Sequence, residues 1–144
     1  MNPPSEDIKD LLVSAGIGTF AASSGWGIYI AEEPESPDTT ITLYDTQGEA
    51  PDPAWLIDYP RFMVRVRGEE DSYLATYAKA LAVRDELNGI APQTVNSTPY
   101  VGIWAMTDVT FVEFDDNRRP VFTVNFRIVR EPSQVSDDNR DVLT

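Results

Sequence analysis

Apolar and polar positions alternate with period two through Arg61–Gly68, which puts Phe62, Val64 and Val66 on one face and Arg61, Met63, Arg65 and Arg67 on the other. That pattern predicts a strand with one buried side. Glu69, Glu70 and Asp71 follow, and negative charge there suits the N-terminus of a helix. Ser72–Leu87 is predicted to be that helix, with Leu74, Tyr77, Ala78 and Leu81 as its apolar stripe. Ala75, Ala78, Ala80 and Ala82 keep it thin enough to approach a sheet or another helix closely. Asn88-Gly89 ends it, because glycine takes a positive φ without steric cost.

The same reading extends along the chain. Ile8, Leu11 and Leu12 recur at helical spacing in Glu6–Ala15, with Ser5 the expected N-cap and Gly16 the stop. Trp26–Glu32 alternates as a strand. Glu33–Asp38, rich in proline and acid, reads as a turn, so Thr39–Tyr44 is expected to pair back on that strand as a hairpin. Asp45–Tyr59 is a long irregular loop carrying Trp55, Leu56 and Ile57, and long loops in compact domains often carry function. After Pro92–Pro99 come strands in Tyr100–Met106, Thr107–Phe114 and Val121–Arg130, with Asp115–Pro120 as a hairpin turn. The last strand sets Phe122, Val124, Phe126 and Ile128 against Thr123, Asn125, Arg127 and Val129. Residues 1–131 thus form one α+β domain, a small, mainly antiparallel sheet with two helices against it, and residues 132–144 an acidic, flexible tail.

Composition narrows the chemistry. Cysteine and histidine are both absent, which removes thiolate nucleophiles, Ser-His and Cys-His pairs and the commonest transition-metal ligands. The formal net charge of −13 opposes binding to phosphate backbones or anionic membranes. No stretch approaches the roughly 20 apolar residues of a membrane span. MNPPSEDIKD lacks the basic start of a signal peptide, so residence in a cytoplasm is expected.

The remaining motifs carry no reaction. Gly27-Ile28-Tyr29 matches half of the GIY-YIG nuclease signature, but Tyr100-Val101-Gly102 lies far outside the spacing that motif needs. Asp115-Asp116 and Asp137-Asp138 lack the periodicity of a calcium loop. No glycine-rich phosphate cradle occurs. The expectation is a chain with no catalytic residues, no metal and no cofactor. Arginines are the distinctive feature: Arg61, Arg65 and Arg67 line one strand, and Arg118, Arg119, Arg127 and Arg130 sit at the final hairpin, with Arg61, Arg65, Arg67, Arg118 and Arg119 singled out. On so acidic a chain they are candidate subunit-interface residues, since a guanidinium binds carboxylates bidentately. Reversing Arg65 and Arg67 to Glu is accordingly expected to spare the fold. Trp55, Leu56 and Ile57 are candidate partner-docking residues.

The succession of a short N-terminal helix, the paired-strand segment WGIYIAEEP, the strand–helix unit PRFMVRVRGEEDSYLATYAKALAVRDELNG and the closing hairpin DVTFVEFDDNRRPVFTVNFRIVRE resembles the tail terminator proteins of long-tailed bacteriophages. The resemblance covers about Ser5–Glu131. It implies a non-enzymatic structural protein of the virion neck, made in the host cytoplasm. It also implies a homo-hexameric ring that caps the tail tube, stops its elongation and meets a head-closure or connector protein, with DNA passing through the lumen. Tail-completion and head-closure neck proteins share this size and texture. A carboxylate-based, metal-dependent hydrolase is the reading from a different class, motivated by the surplus of acid.

Overall fold

The computed structural model describes residues 1–51 and 57–131. In chain order the elements are α1 (Pro4–Ser14), β1 (Thr19–Phe20), β2 (Gly27–Ile30), β3 (Thr40–Thr46), β4 (Arg61–Arg67), α2 (Tyr73–Leu87), β5 (Gln93–Val95), β6 (Thr98–Ala105), β7 (Thr110–Phe114) and β8 (Pro120–Arg130). The strands join in one sheet of order β1-β2-β3-β4-β8-β6-β5, with β7 on β8 beside β6. From β3 onward every pairing is antiparallel.

The alternation in β4 and β8 decides which face of the sheet is covered. Phe62 lies opposite Phe126, Val64 opposite Val124 and Val66 opposite Phe122, and all are buried. Phe62 and Phe126 stack with ring centroids 4.9 Å apart, a contact worth about 0.5–1.5 kcal/mol beyond its buried area. Ile41, Leu43, Ile103 and Ile128 extend this surface, and both helices close over it, α1 through Ile8 and Leu12 and α2 through Ala80, Val83 and Leu87. The sheet therefore has one face under two helices and one face without any.

Several local expectations change. β2 and β3 are neighbours, but parallel, with Gly27 opposite Thr40 and Ile30 opposite Leu43. The segment between them doubles back as an arch instead of a hairpin turn. Ser5 is not the cap of α1: the helix begins at Pro4 behind Pro3, and the Ser5 N–H and Oγ both donate to the Asp45 carboxylate, at 2.9 and 2.7 Å. A carboxylate from β3 thus closes the helix N-terminus, where charge and orphan N–H groups both favour it. Glu69–Asp71 form a turn immediately ahead of α2, at the helix N-terminus where the sequence places them. Pro92–Pro99 holds a short additional strand, β5, and Thr19–Phe20 forms β1 at one sheet edge.

The stripe expected on α2 faces the wrong way. Thr76, Ala80, Val83 and Leu87 are the buried residues, whereas Leu74 is 80% exposed and Tyr77 and Ala78 also face solvent. Close packing selects the inward side. A Cβ at Gly68 would overlap the Thr76 hydroxyl, so the helix start sits almost on the β4 backbone. Small side chains at 76 and 80 permit that approach, and leucine or tyrosine there would not.

Polar clasps hold α1 and the sheet ends. Asp7 is fully buried and accepts hydrogen bonds from the Tyr100 hydroxyl and, at 2.8 Å, from Asn96 Nδ2. Arg130 Nη1 lies 3.7 Å from the same carboxylate and donates to Tyr100 Oη and the Asn2 carbonyl, each at 3.1 Å. Burial and the bond to Asp7 push the Tyr100 hydroxyl pKa well up, so it remains a donor. This cluster binds α1 to β6 and β8.

Candidate assembly surface

The arginines singled out in the sequence divide into two groups. Arg67 is 2% exposed. Its Nη2 donates to the carbonyls of Pro34 and Pro37, both at 2.7 Å, its Nε to the Asp38 carbonyl at 3.0 Å, and its Nη1 to Glu33 at 3.1 Å. The arch between β2 and β3 is wrapped around this one guanidinium. Arg119, 4% exposed, does the same from the other side. It donates to the Glu35 carbonyl and to the carboxylates of Glu35, Asp38 and Asp115, at 2.7 to 3.2 Å. Burial raises the Asp115 carboxyl pKa. The Arg119 backbone N–H and guanidinium and the Asn117 N–H outweigh that and hold it below its ordinary value.

Arg67 and Arg119 are therefore internal struts with no free fork to offer a neighbour, which corrects their assignment as surface cations. The expected innocence of Arg67→Glu falls with it, since the reversal would set a carboxylate among carbonyl oxygens. Arg65 is half-buried and pairs with the other Glu33 oxygen at 2.9 Å. Arg118 is exposed, bound to Asp71 at 3.0 Å and lying 4.6 Å over the Phe114 ring.

Arg61 lies at the opposite end of β4, on the face without helices. Its register partner on β8 is Arg127, another arginine. Glu49 bonds Arg61 at 3.2 Å. Arg127 is exposed, has no ion pair among the described residues, and stacks 5.0 Å over the Trp104 ring. Trp104 in turn lies against Gly102, where a Cβ would overlap the indole. Sequence reasoning counted Arg127 in the cationic cluster of the final hairpin but left it out of the chosen interface residues, although its exposure makes it more available than Arg61, which Glu49 engages. Of the expected docking residues, Ile57 is half-buried and Trp55 and Leu56 fall outside the described residues, as does the segment 132–144.

On the helix side, the outward face of α2 continues into β7. Tyr73, Leu74, Tyr77, Phe111 and Val112 are all more than a third exposed. Tyr73, Tyr77 and Phe111 join into one surface: the Tyr73 ring meets Phe111 at 5.2 Å and the buried Phe122 at 5.1 Å, and Tyr77 meets Phe122 at 5.7 Å. Contiguous apolar exposure of this kind marks an interaction site, whereas scattered single residues do not. Glu69 and Glu70, in the turn that leads into α2, are exposed near it, while Glu113, opposite Val121, lies on the other face of the sheet.

Among the described residues no group of three acidic side chains is placed to hold a metal ion, and no helix is long and apolar enough to cross a membrane. What the geometry offers is surfaces, opposed in character and on opposite sides of one sheet. Residues 11–132 match the family model described as bacteriophage tail terminator protein. The chain belongs to that family. It is a structural component of the phage tail. A chain from the virion of a native gene transfer agent (GTA) particle shares the fold, with a TM-score of 0.66 at 17% identity over 90% of this chain and 96% of that one. A second solved chain superposes at a TM-score of 0.44 with 9% identity, over 70% of this chain and 77% of that one. No curated protein sequence matches the chain.

Proposed function

We propose that this tail terminator caps the finished tail tube as a homo-hexameric ring, stops tube elongation and presents the opposite ring face to a head-closure or connector protein. The observation that carries the reading is membership of the terminator family across residues 11–132. The pairing of an apolar, acid-rimmed surface with an arginine-bearing one supports it, because closed rings are built from heterologous contacts between two different patches. In this reading the protein is made and assembled in the host cytoplasm and has no catalytic role. Each subunit brings a formal charge of −13. A ring of such subunits gives DNA a lumen it can slide through without specific binding, as like charge repels phosphate at distances within about a Debye length.

Sedimentation of the purified full chain, alone and mixed with tail tubes, tests this. The expected result is a closed ring, formed free or on the tube end, and tubes that no longer elongate when it is present. A chain that stays monomeric with tubes and leaves their growth unchanged would overturn the reading.

A further inference from the structure

Two repeats run along α2. Thr76, Ala80, Val83 and Leu87 are buried. Leu74, Ala78, Leu81 and Asp85 have the same spacing two residues earlier, which turns them about 200° to the opposite side. The first three of these are apolar, with Leu74 and Ala78 exposed and Leu81 half-buried, so the start of the helix offers a second apolar side that a partner can cover. Its neighbours Tyr73 and Tyr77, locked against Phe122 and Phe111, are rigid and partly exposed. The acids around this patch need cations from whatever covers it. Among the described residues, ion pairs take up Asp71 with Arg118 and Asp85 with Arg84, while Glu69 and Glu70 have none.

The same chain carries the complementary need. Arg61 and Arg127 sit directly opposite each other in the β4–β8 ladder, an arrangement that like charges disfavour. Among the described residues only Glu49 answers the two of them. Trp104, half-buried beneath Arg127, gives this face an apolar floor. An acid-rimmed apolar patch on one side of the sheet and an acid-seeking, aromatic-floored patch on the other are the two halves of a head-to-tail contact.

We propose that the outward face of α2, with β7 beside it, docks onto the helix-free sheet face around Arg61, Arg127 and Trp104 of a second copy of this chain. The inference rests on the ring reading and supplies its interface. It assigns the contact to Leu74, Tyr77 and Phe111 on one copy, with Glu69 and Glu70 meeting the arginine pair of the next.

Cross-linking tests it without ambiguity, because the chain contains no cysteine. Leu74→Cys combined with Asn125→Cys, in the full chain, is incubated with tail tubes, treated with a short bismaleimide and resolved on a denaturing gel. Leu74 is 80% exposed and Asn125 half-buried beside Arg127. A second pair, Leu74→Cys with the exposed Thr46→Cys, covers the case in which position 125 disturbs folding. The expected result is a covalent ladder from a double variant and none from any single variant. Rings by sedimentation with no ladder from either pair would overturn the interface and leave the ring reading standing. Dimers from Leu74→Cys alone would show like faces meeting and overturn it too. If the unmodified chain forms no ring with tubes, both fall together.

Discussion

The two ends of the helix-free sheet face carry the same residue in the same alternation and put it to different uses. At one end Arg67 and Arg119 are inside the subunit, surrounded by the carbonyls and carboxylates of residues 33–38 and by Asp115. At the other, Arg61 and Arg127 face each other in register and remain at least partly in solvent. Arg61, Arg67 and Arg127 share the strand alternation, and Arg119 stands just ahead of β8. What differs is the loop above: the arch between β2 and β3 covers the first end and supplies enough acceptors to repay the desolvation of a guanidinium. An arginine on an uncovered strand face keeps its fork available to a partner, whereas one under a loop is that loop's scaffold.

The largest effect expected from this comparison is on Arg67. Arg67→Ala strips the arch of its central donor and leaves several carbonyls and one Glu33 oxygen without their buried partner, Arg65 holding the other. Removing one member of a buried charge pair costs about 3–5 kcal/mol. Urea unfolding should show a midpoint lowered accordingly. A variant as stable as the parent would mean that the arch holds without its arginine, and that the two ends do not differ in kind.

A smaller, pH-dependent effect is expected at Asp115. Its folded pKa lies below the ordinary 3.8, with the Arg119 contacts overcoming the upward push of burial. A depressed folded pKa adds stability above the unfolded value, and this is lost as pH falls through the folded one. Asp115→Asn should therefore be less stable than the parent near neutrality. The two should converge as the pH drops well below 3.8. A gap between their unfolding midpoints that is unchanged in acid would place the work of Asp115 in geometry, not charge.

The contrast also marks where sequence reading stops. β4 and β8 were legible because period two with one wholly apolar side has a single solution once that side is buried. The α+β class and the phage terminator resemblance followed from the order of such segments. The inward face of α2 was not legible. Leucines and a tyrosine form one stripe and Thr76, Ala80, Val83 and Leu87 the other, so hydrophobicity alone favours the larger residues. Gly68 reverses that choice by bringing the helix too close to β4 for them. The parallel pairing of β2 and β3 was hidden for a similar reason: alternation gives a strand no direction, and the arch that sets it is held by Arg67, a residue remote in sequence. Asp45 as the group closing α1 is another such long-range partner. The candidate surface was half legible, as Arg61 was singled out while Arg127 and the α2 face were not.

The smallest effect on the isolated subunit, and the sharpest on assembly, is expected from Arg61→Gln combined with Arg127→Gln. Both side chains lie on the uncovered end, where substitutions away from buried networks usually change stability by no more than about 0.5 kcal/mol. Relief of the facing like charges makes even a slight gain reasonable. The loss of the Arg61–Glu49 pair costs little, because Glu49 is largely in solvent. Self-association should respond differently. In the parent, arginines meeting carboxylates across a contact should make assembly weaken as salt rises, through screening. The double variant should assemble less well at low salt and lose most of that salt dependence. Urea midpoints and sedimentation across a salt series read the two effects separately. Should this variant unfold as readily as Arg67→Ala, the arginines at the open end would be struts as well, and the distinction between the two ends of the sheet would collapse.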